Sequence, residues 1–205
     1  MSPGTNELRT RNLLTIAALA AVFLLPLLGA DWLYYGTSWR PSGRVNHGEL
    51  ITPPRPLPSV TLPSLAGDGR REPSMAAPAL FRGTWTIAYV GDGGCGRACR
   101  HSLHVLRQTR LALGTGVTRV AGVFLVTGDC CAKALLARER AGVRLLDAQG
   151  APAAKLLRAF PAGGRAYSLF IVDPLGNLMM RYDVRRNPGG LLVDLRRLLA
   201  LSDIG

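Results

Sequence analysis

The chain has 205 residues with 25 basic and 13 acidic side chains, which gives a formal net charge of +12. This length suits one globular domain with an additional segment. The arginines are spread over the whole chain, and no basic array is interleaved with aromatic residues. That distribution argues against nucleic-acid binding and favours an acidic protein partner or an anionic lipid surface.

The additional segment lies near the start of the chain. Residues 12–30 carry no charge, and a run of this length crosses the hydrocarbon of a bilayer. Arg9 and Arg11 precede the run, so the positive-inside rule places the N-terminus in the cytoplasm. We therefore expect a cytoplasmic N-terminus over residues 1–11 and a transmembrane helix over residues 12–33.

A cleaved signal peptide is the competing interpretation of the same segment. The apolar run is longer than the core of a typical signal peptide, and Leu28-Gly29-Ala30 is a poor cleavage site. Trp32, Tyr34 and Tyr35 follow at once, as aromatic residues do at a membrane interface. These features favour an uncleaved anchor.

Prolines dominate the next segment, residues 34–80, with the run Pro-Pro-Arg-Pro-Leu-Pro at residues 53–58. So many prolines argue against a helix and predict an extended tether that leads to a domain over residues 81–205. A histidine in such a segment is usually exposed to solvent, and we predict this for His47.

The domain alternates between strand and helix patterns. Apolar and β-branched runs predict strands, and amphipathic patterns predict helices. The predicted strands cover residues 84–90, 119–127, 143–146, 167–172 and 178–182, and predicted helices follow the first strand and cover residues 132–140, 152–160 and 191–201. This order describes an α/β fold in which a partly parallel sheet, with a final antiparallel hairpin, is flanked by helices.

Two cysteines lie where the first strand passes into a helix. A glycine cluster ends the strand, and the segment Cys95-Gly-Arg-Ala-Cys99 follows. The positive end of the helix dipole favours the thiolate, which suits nucleophilic attack and soft-metal binding. By helical register Cys99 shares a face with Leu103 and Leu106, so we expect Cys99 to point inward and Cys95 outward.

A second pair, Cys130 and Cys131, follows the strand predicted at residues 119–127. Loops after neighbouring parallel strands lie at the same edge of a sheet, so this pair should approach Cys95. One of the two would then resolve a disulfide with Cys95. Small buried residues are an equally favoured interpretation.

Two histidines on the first helix suggest a metal site, since copper accepts imidazole and thiolate together. His101 and His104 nevertheless lie far around the helix from Cys99. We therefore place them in a basic surface stripe. A zinc site would require all four cysteines to meet.

The order of strand, two-cysteine loop, helix, βα units, hairpin and final helix resembles the thioredoxin fold. The spacing of Cys95 and Cys99, the membrane anchor and the segment Val172–Leu178 are similar to the Sco (SenC) family. Its members are membrane-tethered copper chaperones that help to assemble the binuclear copper centre of cytochrome c oxidase. The segments Gly83-Thr-Trp-Thr and Asn46-His-Gly-Glu-Leu50 resemble small Sco-like membrane proteins found beside cytochrome oxidase genes.

This resemblance implies both a location and a chemistry. The chain would be a single-pass inner-membrane protein whose tether and domain lie in the periplasm. Cys95 and Cys99 would be the catalytic thiols and also the ligands of Cu(I). The partner would be a cytochrome c oxidase subunit or another assembly factor.

The sequence departs from the family at three positions. The third copper ligand of the family is a histidine eight residues before the aspartate of the Asp-Pro turn, and here that position holds Arg165. Arg100 replaces the proline that follows the cysteines in Sco proteins, and Tyr167 stands where a thioredoxin has its cis-proline. Without the histidine, a dithiol suits Cu(I) better than Cu(II).

Three functions stay open from the sequence. The leading hypothesis is oxidase assembly by thiol redox chemistry or transient Cu(I) binding, with Cys95 making the first contact and Cys99 resolving the bond or sharing the metal. The second is a general periplasmic thiol-disulfide oxidoreductase with several clients. The third is a non-catalytic scaffold whose basic face docks an oxidase subunit.

Overall fold

The computed structural model describes residues 5–37, 45–66, 70–72, 80–131 and 142–204. The chain divides into two compact units, residues 1–44 and residues 45–205.

The first unit is built on helix α1 (Thr5–Gly36). Its segment Arg9–Gly36, 28 residues in all, is long and apolar enough to cross a membrane. At 1.5 Å per residue such a helix is about 42 Å long, which exceeds the ~30 Å hydrocarbon core of a bilayer. The structure therefore confirms the apolar helix predicted at residues 12–33 and extends it at both ends.

The second unit is an alternation of strands and helices, as the sequence patterns predict. Its strands are β1 (Glu49–Pro56), β2 (Ser64–Leu65), β3 (Arg71–Glu72), β4 (Trp85–Asp92), β5 (Val120–Thr127), β6 (Val143–Asp147), β7 (Ser168–Val172) and β8 (Asn177–Asp183). Its helices are α2 (Arg97–Ala112), α3 (Gly150–Leu157) and α4 (Pro188–Leu201), with 3-10 turns at Gly114–Arg119 and Arg165–Tyr167. The helix predicted at residues 132–140 lies outside the described residues.

The strands form one sheet in the order β1-β8-β7-β4-β5-β6-β2-β3. The central strands β4, β5 and β6 are parallel, and β7 and β8 form an antiparallel hairpin beside β4. This topology confirms the partly parallel sheet and the final hairpin. Parallel strands are covered on both faces, which explains why the central strands are continuous apolar runs.

Two apolar layers cover the two faces of the sheet. Along β4 the side chains alternate between them, with Ile87 and Tyr89 in one cluster and Ala88 and Val90 in the other. The first cluster contains the buried leucines of α2 and α4, and the second contains Leu156 of α3. The domain is therefore a three-layer α/β structure, with α2 and its cysteines on one face of the sheet.

The sheet begins within the proline-rich segment. Residues 49–56 pair with β8 as the outermost strand, with a register irregularity between Leu50 and Arg55. An edge strand tolerates prolines because the outward-facing N–H groups need no partner in the sheet.

Candidate functional site

The candidate site is the loop between β4 and α2. Asp92 ends the strand and shapes the loop, because its main-chain carbonyl accepts from the Cys95 N–H at 3.2 Å and its Oδ1 accepts from the Gly94 N–H at 2.7 Å. Cys95 follows in the left-handed region with φ of 41°. It forms a disulfide with Cys99, in the first turn of α2, with the two Cα atoms 5.0 Å apart.

Both cysteines of this disulfide are buried. Cys99 is 6% exposed and lies on the inward face of α2 with Leu103 and Leu106, as the helical register predicts. The prediction that Cys95 points outward is wrong, because it is 2% exposed. The turn at Asp92 folds the loop back, and the disulfide ties the Cys95 sulfur to the inward-facing Cys99.

An open cleft of about 360 Å³ gives access to one end of the disulfide. Its lining includes Cys99, Tyr89 and Arg97, while Cys95 is absent from the described residues that line it. Of the two cysteines, Cys99 is therefore the one that borders this cleft.

The pair has basic groups of α2 on one side and the Asp92 carboxylate on the other. The first turn of α2 contains no acidic residue, and the Arg100 guanidinium donates to the Cys95 carbonyl at 3.2 Å. Tyr89 donates its hydroxyl to the Ala166 carbonyl at 3.2 Å. Burial, and to a smaller extent Tyr167, raises the pKa of Tyr89 to about 12, so its phenol stays protonated at neutral pH.

Arg165 lines the same cleft as Cys99. Its guanidinium donates to the carbonyls of Leu157, Phe160 and Pro161 at 2.7, 2.5 and 2.9 Å. Burial lowers the pKa of this guanidinium, but arginine stays cationic in proteins and offers no lone pair to a metal. Arg165 therefore caps the end of α3 and does not replace the histidine ligand of the family.

In the part of the chain that the structure describes, no third metal ligand accompanies Cys95 and Cys99. Among the described residues there is no group of three or more His, Cys, Asp or Glu side chains that could hold a metal ion. Two thiolates are nevertheless a chemically suitable donor set for Cu(I) once the disulfide is reduced.

Tyr167 directly precedes β7, at the position where a thioredoxin has its cis-proline. Its ring lies under the Arg185 guanidinium, 4.5 Å from the ring centre, and its centre is 6.5 Å from that of His101. His101 and His104 are exposed on α2, which confirms their place on the surface of this helix.

The second cysteine pair lies beside the first, as the sheet topology predicts. Cys130 and Cys131 form a disulfide with each other, and both pack against the apolar cluster that contains Cys95 and Cys99. The structure therefore brings the four cysteines to one edge of the sheet as two separate disulfides. A disulfide between Cys95 and either of the second pair stays a hypothesis.

The structure also contains a polar cluster that sequence patterns did not predict. Buried Asp194 accepts hydrogen bonds from His47 N and Nδ1 at 2.7 and 2.9 Å, from Gly48 N at 3.2 Å and from the Tyr182 hydroxyl at 2.7 Å. His47 is 39% exposed and lines a separate polar cleft with Arg181 and Arg185. The segment Asn46-His-Gly-Glu-Leu50 drew attention to His47, but Asp194, with which His47 pairs, is 147 residues away in the sequence.

Comparison with known proteins identifies the family. Residues 85–202 match the family described as transmembrane-like, thioredoxin-like, C-terminal domain. The chain belongs to this family. The match covers the cysteine loop, the parallel strands, the hairpin and the last helix, so the predicted thioredoxin-like fold is confirmed.

Solved structures with the same fold include Sco proteins. Apo Sco1 from Thermus thermophilus aligns with a TM-score of 0.54 at 14% identity, covering 77% of this chain and 99% of that one. Yeast Sco1 with copper bound aligns with a TM-score of 0.55 at 12% identity, covering 71% of this chain and 95% of that one. A SCO1/SenC family lipoprotein from Bacillus anthracis aligns with a TM-score of 0.50 at 16% identity, covering 72% of this chain and 98% of that one. These likenesses confirm the fold that the resemblance to Sco proteins implies.

No curated protein matches this sequence. Membrane anchoring is supported independently by the family description and by the length and composition of α1.

Proposed function

We propose that this chain is a membrane-anchored thiol-disulfide protein of cytochrome c oxidase assembly, with α1 in the inner membrane and the domain in the periplasm. Cys95 and Cys99 are the reacting pair. The observation that carries the proposal is a disulfide at the N-terminus of α2 whose Cys99 end lines an open cleft. The oxidising periplasm is a compartment in which such a bond forms and persists.

The burial of the two cysteines sets the order of the reaction. A partner thiolate attacks the Cys99 sulfur, forms a mixed disulfide with it and breaks the Cys95–Cys99 bond, and Cys95 leaves as a thiolate that takes up a proton. A second partner thiolate then releases Cys99. The partner becomes a disulfide, and the pair gains two electrons and two protons. Cys99 thus takes the first-contact role that the sequence assigned to Cys95.

Copper carriage is the second candidate for the same site. The reduced pair supplies two soft thiolates, which suit Cu(I), and yeast Sco1 has been solved with copper bound. Cu(I) would be a transient substrate held by Cys95 and Cys99. Arg165 adds no ligand, so we expect no comparable affinity for Cu(II).

The partner we propose is a cytochrome c oxidase subunit or another assembly factor. Arg97 of α2 lines the cleft, and Arg100, His101 and His104 are exposed on the same helix. These basic side chains suit an acidic protein surface. A general thiol-disulfide oxidoreductase would exchange disulfides with unrelated proteins, whereas an assembly factor would act on its oxidase client.

The test is oxidase maturation in cells that carry a Cys95→Ser, Cys99→Ser chain in place of the native one. We expect loss of oxidase activity and of oxidase copper at normal levels of membrane-bound protein. Unchanged maturation would overturn the proposal, and unchanged maturation after replacement of all four cysteines would favour a non-catalytic scaffold.

A titration separates the two chemistries. The reduced protein is titrated with Cu(I) beside a Cys95→Ala, Cys99→Ala control. Binding that is no tighter than in the control would remove the copper candidate and leave the redox function.

A further inference from the structure

We propose that Cys130 and Cys131 are a second redox pair that exchanges its disulfide directly with Cys95 and Cys99. This inference rests on the proposed thiol chemistry of the first pair and deepens it, because it assigns the internal partner of that pair.

The register of the sheet places the two pairs at equivalent positions. β4 and β5 are parallel neighbours paired from Trp85 and Val120 through Asp92 and Thr127. Cys95 lies three residues after Asp92, and Cys130 lies three residues after Thr127. Both loops therefore leave the same edge of the sheet side by side.

The two loops are in close contact. A Cβ added to Gly93 would lie 2.9 Å from the Cys130 Cα and would also collide with the main chain of Asp129. The Asp92 carboxylate lies between the loops, with Oδ1 bound to the Gly94 N–H and Oδ2 where a side chain on Gly128 would have to go. Glycine at both positions allows the backbones to approach this closely.

Burial explains why an internal partner is needed. Cys95 is 2% exposed and does not line the cleft that reaches Cys99, so an external thiol has no described route to it. Cys130 and Cys131 are partly buried and pack against the cluster that holds Cys95. Cys99 thus lines the cleft, whereas Cys95 lies two residues after Gly93, where its loop touches the loop of the second pair.

The exchange starts after the partner dithiol has reduced the first pair, while Cys130 and Cys131 are still joined. The Cys95 thiolate attacks the Cys130 sulfur, forms a Cys95–Cys130 bond and breaks the Cys130–Cys131 bond, and Cys131 leaves as a thiolate that takes up a proton. The Cys99 thiolate then attacks Cys95, restores the Cys95–Cys99 bond and releases Cys130, which takes up the second proton lost from the first pair. Two electrons pass from the first pair to the second.

The intermediate can be trapped in the full-length protein in detergent. Trypsin separates the thiols, because Cys95 falls in peptide 83–97, Cys99 in peptide 98–100 and the second pair in peptide 120–133. In a Cys99→Ser, Cys131→Ser variant, mild oxidation should join peptide 83–97 to peptide 120–133 in most molecules. The matched control is Cys95→Ser, Cys131→Ser, in which Cys99 and Cys130 should cross-link at least tenfold less.

A measurement on the wild-type chain does not depend on the folding of these variants. The protein is reduced with one equivalent of dithiothreitol, blocked with an alkylating reagent and digested without reduction. The experiment is repeated with one equivalent of a phosphine reductant. One ratio of chains with only Cys95–Cys99 bonded to chains with only Cys130–Cys131 bonded, reached with both reductants, supports exchange. Ratios that differ between the reductants and stay different over hours overturn it.

The outcomes also separate this proposal from the function on which it rests. If Cys95–Cys99 cycles reversibly but no Cys95–Cys130 bond can be trapped, the second pair has no role and the proposed function stands. If Cys95–Cys99 cannot be reduced in the folded protein, both proposals fail.

Discussion

Arg165 shows how a single residue changes the chemistry available to this fold. It lines the cleft beside Cys99, at the position where the Sco resemblance places a histidine ligand, and its guanidinium is bound to three carbonyls at the end of α3. The position therefore supports the structure of the cleft wall and supplies no metal ligand.

Replacing Arg165 with histidine tests this assignment. We expect Arg165→His to gain Cu(II) binding with a thiolate-to-copper charge-transfer band, because imidazole would join two thiolates. The measurement is a spectroscopic Cu(II) titration of the reduced protein. Arg158→His, on the same segment but outside the lining of the cleft, is the control and should gain nothing. Equal binding by both variants would contradict the placement of Arg165.

Asp194 is the second residue with a clear structural task. It is 4% exposed and accepts hydrogen bonds from His47, Gly48 and Tyr182, so it ties the start of the domain to α4 and β8. Burial alone raises the pKa of Asp194, but the hydrogen bonds from His47 and Tyr182 outweigh it and bring the pKa below its usual value.

We expect Asp194→Asn to lower the free energy of unfolding by about 1–3 kcal/mol, because the amide keeps one acceptor oxygen and turns an NH2 donor toward groups that donate to the second carboxylate oxygen. Urea denaturation of the wild type and of exposed Asp203→Asn provides the comparison. Because the pKa of Asp194 is lower in the folded protein than the usual value of 3.8, its ionised carboxylate stabilises the fold at pH values above 3.8. This stabilisation is lost as the pH falls through the pKa that Asp194 has in the folded protein. The difference in free energy of unfolding between the wild type and Asp194→Asn should therefore be largest at pH 7 and shrink below pH 4. A difference that does not change with pH would contradict this.

At the scale of elements, the contact between the loops after β4 and β5 defines the site. The parallel register brings the loops to one edge, and Gly93 lets their backbones touch. Gly96 is only three residues away, and a Cβ added to it would meet open space. Gly96 is therefore the matched control position for Gly93.

We expect Gly93→Ala to push the loops apart and to cost about 1–3 kcal/mol of stability. The same substitution should reduce the trapping of Cys95 with Cys130 at least fivefold. Gly96→Ala should leave both the unfolding midpoint and the trapping near wild-type values. Identical behaviour of the two variants would show that the loops do not meet as described.

Features that depend on residues close together in the sequence could be predicted, whereas features that depend on distant contacts could not. Long apolar runs predict the central strands, and the 3.6-residue helical period places Cys99 and Leu103 on the inner face of α2. The burial of Cys95 was missed because it depends on the turn at Asp92 and on the disulfide, which no periodicity encodes. The role of His47 was missed because Asp194 is distant in the sequence, and β1 was hidden because prolines usually argue against a strand.

At the scale of the whole molecule, the compact unit that holds the site begins at residue 45, within the proline-rich segment. β1 pairs with β8, β2 pairs with β6, and Leu57, Leu62 and Leu65 are buried. Residues 49–65 of the proline-rich segment therefore contribute to the sheet and to the core.

We expect a chain that starts at residue 45 to fold cooperatively, and one that starts at residue 81 to be unfolded or strongly destabilised. The shorter chain loses three buried leucines worth about 2 kcal/mol each, against a total stability of about 5–15 kcal/mol for a domain. It also leaves Asp194 without its partners in residues 47–48. Thermal unfolding by circular dichroism measures the difference, and equal midpoints would contradict the contribution of residues 45–80.

The account depends most on Cys95 and Cys99 being a reversible redox pair in the folded protein. The direct measurement equilibrates the full-length protein in detergent with dithiothreitol buffers of graded potential, blocks the thiols and quantifies the Cys95–Cys99 disulfide by mass spectrometry. We predict a single two-electron transition that is the same whether approached from the oxidised or the reduced side. A disulfide that persists in the native protein at every potential, and is reduced only after unfolding, would contradict the account.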